Sequence, residues 1–124
     1  MKKKILIVED DKTVNMVLNV LFKPFYETVS ATNGKEGVEM AATYLPDIIL
    51  MDSKMPVMNG VQATRLIREN PVTRSIPIIA VTALSSDKDK EAFFQSGCDE
   101  FVEKPFNKDD LLPRIENLLT RAHP

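Results

Sequence analysis

Four short stretches of the chain run through apolar residues and stop at a group able to do chemistry. "ILIVEDD" (5–11) stops at Glu9, Asp10 and Asp11, "DIILMD" (47–52) at Asp52, "PIIAVT" (77–82) at Thr82, and "EFVEKP" (100–105) at Lys104 and Pro105. Carboxylates gathered in one place repel, and they either protonate or require a cation. Oxygen ligands alone select a hard ion, Mg²⁺ or its substitute Mn²⁺, which takes one or two carboxylates, keeps waters and shares a phosphate oxygen. Lys104 offers a compact positive charge suited to an anion. Thr82 offers a hydroxyl donor. In that company one carboxylate can act as a nucleophile and carry a phosphoryl group as an acyl phosphate. Each residue taken singly is an ordinary strand terminator; the reading rests on all four stretches ending this way.

The elements that must position these groups follow from apolar patterning. Strands are expected at 3–9, 27–31, 47–51, 77–82 and 100–104. Helices are expected at 11–22, with apolar spacing at Val14, Val17, Leu18, Leu21 and Phe22, and at 34–45, 60–70, 86–97 and 107–122. Pro24 should stop the first helix, because it has no amide proton and clashes with the preceding turn. Gly97 should close the fourth, and Pro113 should be tolerated in the opening turns of the fifth or bend it slightly. Met55, Pro56 and Gly60 should turn the chain back after Asp52, with Met55 and Met58 packing. The pattern is five βα units. Several strands are apolar on both faces, as parallel strands covered on both sides must be. Right-handed crossovers then give a doubly wound open α/β sheet, whose site lies beyond the carboxyl ends of the strands. All the groups above would face that edge.

Totals narrow the function classes. A chain of 124 residues suits one domain with a core, taken as 1–124. Apolar content of 44% and charged content of 27% fit a globular protein. The net charge of -2 leaves no basic surplus for a phosphate backbone, so no direct nucleic-acid binding is expected, and Lys2, Lys3 and Lys4 read as a solvated lead-in to the first strand. No apolar stretch approaches the roughly 20 residues of a membrane span, and no secretory signal is expected, because the N-terminal lysines are not followed by a signal-type apolar stretch with a small-residue cleavage site. A single cysteine, Cys98, excludes an internal disulfide, fits a reducing, cytoplasmic setting and reads as a packing residue. The single histidine, His123, excludes a Ser-His-Asp relay and metal sites built from several histidines or cysteines.

Taken together, "ILIVEDD" (5–11), "PDIILMDSKMPVMNG" (46–60), "IPIIAVTA" (76–83) and "GCDEFVEKPF" (97–106) resemble a receiver domain of two-component response regulators of the chemotaxis-regulator type, over essentially the whole chain. The resemblance implies a flavodoxin-like sheet of order 2-1-3-4-5 with five helices. It also implies a phosphoacceptor signalling domain that catalyses only its own phosphorylation and dephosphorylation. Asp52 would accept phosphoryl from a histidine kinase or a histidine phosphotransfer protein. Asp10 would ligate Mg²⁺, with Glu9 reaching it directly or through water, Asp52 sharing it, and the backbone carbonyl of Lys54 as a further ligand. Thr82 and Lys104 would bind phosphoryl oxygens, and the Lys104–Pro105 peptide bond would be cis. Asp11 is the least committed acid and is expected to cap the first helix. Thr82 would move towards the phosphoryl group, and Phe101 would turn inward behind it. The face of the fourth helix, fifth strand and fifth helix would then be reshaped for a downstream protein. Lys54 and Leu84 flank the path of the hydrolytic water and carry no carboxamide or carboxylate, which implies a slow loss of phosphoryl. A monomer or a phosphorylation-promoted dimer is implied.

Other classes fit less well. The chain could be a stand-alone regulator or a receiver cut from a hybrid histidine kinase or a longer regulator. An aspartyl-nucleophile phosphatase of the haloacid-dehalogenase type wants an acid two residues after the nucleophile, where this chain has Lys54. An FMN-binding module wants hydroxyls after the first strand, where "EDDK" (9–12) repels phosphate. "NGKEG" (33–37) lacks P-loop spacing.

Overall fold

The computed structural model describes residues 2–83 and 86–121. Leu84 and His123 lie outside the described residues. Strands β1 (Lys4–Val8), β2 (Glu27–Ala31), β3 (Ile48–Met51), β4 (Ile78–Thr82) and β5 (Glu100–Glu103) alternate with helices α1 (Lys12–Phe22), α2 (Gly34–Tyr44), α3 (Gly60–Glu69), α4 (Asp87–Ser96) and α5 (Lys108–Arg121). The strands form one parallel sheet in the order β2-β1-β3-β4-β5. Every βα unit is therefore where the sequence puts it, and the order is the flavodoxin-like one.

Alternation along the strands splits the core in two. Ile5, Ile7, Ile48, Leu50, Ile79, Val81 and Val102 face α1 and α5, meeting Leu18, Phe22, Leu111 and Ile115. Leu6, Val8, Ile49, Met51, Ile78 and Ala80 face α2, α3 and α4, meeting Ala41, Ala63, Ile67 and Phe93. Each of the larger side chains among these stabilises the fold by about 1.5–3 kcal/mol through burial. Cys98 is buried in the second layer, and burial pushes its thiol up to about 12, which suits packing rather than reactivity. Met55 and Met58 pack partly buried against the same layer.

Several details depart from the expected pattern. Val17 does not join the buried stripe of α1; it is 48% exposed and lies with Met16 and Val20 on the outer side. The inward stripe is Asn15, Leu18 and Phe22, so a polar residue takes a core position. The strands are shorter than expected by one residue at several ends, although single backbone hydrogen bonds continue there, as from the Glu9 amide to the Ala31 carbonyl at 3.0 Å. At Asp47 the side chain accepts from the Lys4 amide at 2.7 Å and the backbone amide donates to the Lys4 carbonyl at 2.8 Å. Helix α1 ends at Phe22 with Lys23 as its cap, one residue before Pro24. Gly97 closes α4 in the left-handed region at φ 112, and α5 runs straight through Pro113.

Candidate functional site

At the carboxyl ends of β1, β3, β4 and β5 the chain assembles one cluster. Glu9, Asp10 and Asp52 each offer a carboxylate oxygen within 4.8 Å of the others. Glu9 follows the last β1 residue and is held by its amide, which donates to the Ala31 carbonyl at 3.0 Å. Its side chain is almost fully buried, Asp52 is 9% exposed, and Asp10 opens to solvent. Lys104 reaches in from the end of β5. Its ammonium donates to Glu9 Oε1 and lies 3.7 Å from Asp52 Oδ1. The Lys104 amide donates to the Thr82 carbonyl at 2.9 Å, which locks β5 beside β4 at this edge. The Lys104–Pro105 peptide bond is cis.

Burial raises the Glu9 carboxyl above its ordinary range; the hydrogen bond from Lys104 opposes that, and neighbouring Asp52 adds to it. Asp10 is raised as well, by desolvation first and by Glu9 second. In both, burial acts first and the neighbouring acids add to it, while Lys104 opposes the rise. A hard divalent cation would relieve the surplus, and an all-oxygen set with one open carboxylate suits Mg²⁺.

Asp11 stands apart from the cluster. It is the N-cap of α1, accepting from the amides of Thr13 at 2.9 Å and Val14 at 3.1 Å, while its own amide donates to Glu9 Oε2 at 3.2 Å. Lys54 is exposed just past Asp52. After it, Val57 adopts φ 71 within a turn closed by the Met58 amide on the Pro56 carbonyl at 2.7 Å. A β-branched residue is strained in that region. Gly60 then starts α3 hard against the strand end: a Cβ there would sit 1.8 Å from the Asp52 carbonyl oxygen. Only glycine lets the helix approach Asp52 this closely.

Phe101, opposite Ala80 in the β4–β5 register, is half-buried. Its ring meets Phe93 of α4 edge-on at 6.0 Å, and Lys90 covers it at 5.6 Å from the centroid while pairing with Glu103 at 2.9 Å.

Two site residues escaped the reading of the sequence. Asn15, on the inward stripe of α1, donates through Nδ2 to the Glu9 carbonyl at 3.0 Å and the Ala31 carbonyl at 3.3 Å. Its Oδ1 accepts from Asn19, which also donates to Ser30 Oγ at 2.7 Å. A polar residue in register with Leu18 and Phe22 was the available signal. Ser53, immediately after Asp52, hydrogen-bonds its hydroxyl to that of Thr82 at 2.7 Å, with both residues buried. Its only signal was a small polar side chain directly after Asp52, between it and Lys54.

The sequence profile of the response regulator receiver domain matches residues 5–116. The polar-differentiation response regulator DivK of Brucella anthropi is 35% identical over 124 residues, spanning 98% of this chain and 100% of that one. Among solved structures, the receiver domain of a Pseudomonas aeruginosa sensor histidine kinase superposes with a TM-score of 0.91 at 31% identity, covering 97% of this chain and 99% of that one. That protein was crystallised with a magnesium ion coordinated in its active-site cleft. The Vibrio cholerae chemotaxis protein CheY4 superposes with a TM-score of 0.89 at 26% identity, covering 95% and 99%. The chain belongs to the response regulator receiver domain family of two-component signalling.

Proposed function

We propose that the domain is an Mg²⁺-dependent phosphoryl acceptor in a phosphorelay, with Asp52 as the acceptor. The observation that carries this is the convergence of Glu9, Asp10, Asp52 and Lys104 at one sheet edge, three acids against one ammonium. Asp10 and Asp52, with Glu9 directly or through water and the carbonyl of Lys54, would hold the ion. Bound there, Mg²⁺ supplies neutralisation of the phosphoryl oxygens during transfer. Asp52 attacks the phosphorus of a phosphohistidine on a histidine kinase or phosphotransfer protein. The bond from phosphorus to the histidine nitrogen breaks as the bond to the carboxylate oxygen forms. Lys104 and Thr82 bind the transferred oxygens, and Lys104 gives up its contact with Glu9 to do so. Mn²⁺ would substitute. The domain, 1–124, turns over no other substrate in this reading; haloacid-dehalogenase-type phosphatase chemistry would require an acid where Lys54 stands.

The acyl phosphate then acts as a switch. It adds charge and strong acceptors beside Thr82. Movement of Thr82 opens space above Ala80, on the face where Phe101 already leans on Phe93. A population shift of Phe101 would reshape α4, β5 and α5 for a downstream protein. The test is amide NMR with Mg²⁺ and beryllofluoride. Shifts should extend from Asp52 and Thr82 to Phe101 and α4, and in Thr82→Ala they should stay local while the mimic still binds. Shifts confined to the surroundings of Asp52 in the unaltered protein would refute the switch.

A further inference from the structure

We propose that Ser53 is a positioning residue that holds the Thr82 hydroxyl in the resting state and thereby sets how strongly phosphorylation must pull to switch the domain. This rests on the reading of Asp52 as phosphoryl acceptor and Thr82 as the group that moves. The Ser53 backbone is clamped at both ends. Its amide donates to Asp52 Oδ1 at 2.8 Å, and its carbonyl accepts from the Gly60 amide at 2.7 Å. Gly60 lies close against the strand end, where a Cβ would sit 1.8 Å from the Asp52 carbonyl oxygen. The Ser53 side chain therefore has a fixed origin, and it is spent on Thr82 Oγ1 at 2.7 Å. Thr82 is equally constrained behind, because its carbonyl accepts from the Lys104 amide at 2.9 Å. The two residues lie two positions beyond Met51 and Ala80, which pair in the β3–β4 register, so their side chains share the face that leads to Phe101 and Phe93.

The pair is 5% and 1% exposed, so water is not at hand to replace a broken bond. A phosphoryl group on Asp52 offers acceptors only, and the movement that brings the Thr82 hydroxyl to it draws the two hydroxyls apart, whichever of them donates in the resting state. The resting state is thus favoured by one buried hydroxyl–hydroxyl bond that the switched state lacks. Removing the Ser53 hydroxyl takes that bond from the resting state alone. Ser53→Ala should shift the equilibrium towards the switched conformer by about five-fold, the effect of one net hydrogen bond.

The experiment titrates beryllofluoride at saturating Mg²⁺ into the whole chain and follows the amides of Phe101 and α4. Ser53→Ala should bind the mimic about five-fold more tightly and show Phe101 shifts already displaced before it is added. Ser53→Thr, which keeps the hydroxyl, should return both readouts to those of the unaltered protein. Mg²⁺ affinity, set by the carboxylates, should not change in either. If alanine prevents folding, Ser53→Cys keeps the volume with only a weak donor and should move the readouts the same way. Unchanged or weaker binding of the mimic in Ser53→Ala overturns the role of Ser53. A failure of the unaltered protein to bind beryllofluoride, or binding that survives Asp52→Asn, overturns the phosphoryl-acceptor reading itself and this inference with it.

Discussion

Replacing Lys104 by methionine keeps the aliphatic stem and deletes the one cation paired with Glu9 and Asp52 among the described residues. The structure sets the size of the effect. The ammonium lies 3.7 Å from Asp52 Oδ1, an attraction of about 4.5 kcal/mol at an effective dielectric of about 20. The carboxylate oxygens of Glu9, Asp10 and Asp52 lie within 4.8 Å of one another, so an ionised pair repels by at least about 3.5 kcal/mol on the same scale. Releasing the 20% exposed Lys104 side chain from its own desolvation returns roughly half of the lost attraction. In chelator at pH 7, Lys104→Met should therefore lose about 2–3 kcal/mol, or about 10 °C in melting temperature. The pH dependence has a definite sign. Burial raises Glu9 above 4.5, and Lys104 opposes that rise, so the variant's Glu9 stands higher still. Between 4.5 and the raised value the folded state binds more protons than the unfolded one, and stability falls as pH rises. The deficit should be largest near neutrality and should shrink as pH falls through 4.5, below which Glu9 is protonated in both states. Mg²⁺ should also shrink it, since the variant binds the ion more tightly and gains more from it. Thermal melts at several pH values, with and without Mg²⁺, check this. Equal stability at pH 7 in chelator, or a deficit indifferent to both acid and Mg²⁺, would refute this view of the cluster.

Asn15→Leu should cost about 2–3 kcal/mol in urea unfolding, since it strips the Glu9 carbonyl of a buried donor. It should also weaken Mg²⁺ binding about ten-fold by calorimetry, because the Glu9–Asp10 peptide loses its anchor. Thr64→Val should raise stability by about 1 kcal/mol in the same unfolding assay. The Thr64 hydroxyl is fully buried on α3 with no partner among the described residues, and its removal deletes a desolvated group at little change in volume. Phosphoryl on the isolated domain should be lost slowly, over minutes or longer at neutral pH. Neither Lys54 nor Leu84 carries a carboxamide or carboxylate to orient water, and loss within seconds would contradict that.

The fold was legible because the strands carry their own evidence. "ILIV" and "IILM" are apolar at every position, which only strands covered on both faces require, and helical stripes of period 3.6 lie between them. The strand order did not follow from periodicity and came with the family likeness. Glu9, Asp10, Asp52, Thr82 and Lys104 were legible because a parallel sheet sends all its carboxyl ends to one edge. Asn15 and Ser53 were not read out, because each acts through a hydrogen bond across elements whose register the sequence does not display. Asn15 also shows why a stripe is an imperfect guide. It holds the inward place while Val17, apolar and one helical step aside, is exposed.

The central claim is that Asp52 becomes phosphorylated by virtue of the acids and the ammonium gathered around it. Incubating the chain with acetyl phosphate and Mg²⁺, then weighing the intact protein, tests this without any partner. A single phosphoryl adduct is expected, absent with chelator and absent in Asp52→Asn. An adduct that persists in Asp52→Asn, or none in the unaltered protein with Mg²⁺ present, would contradict it.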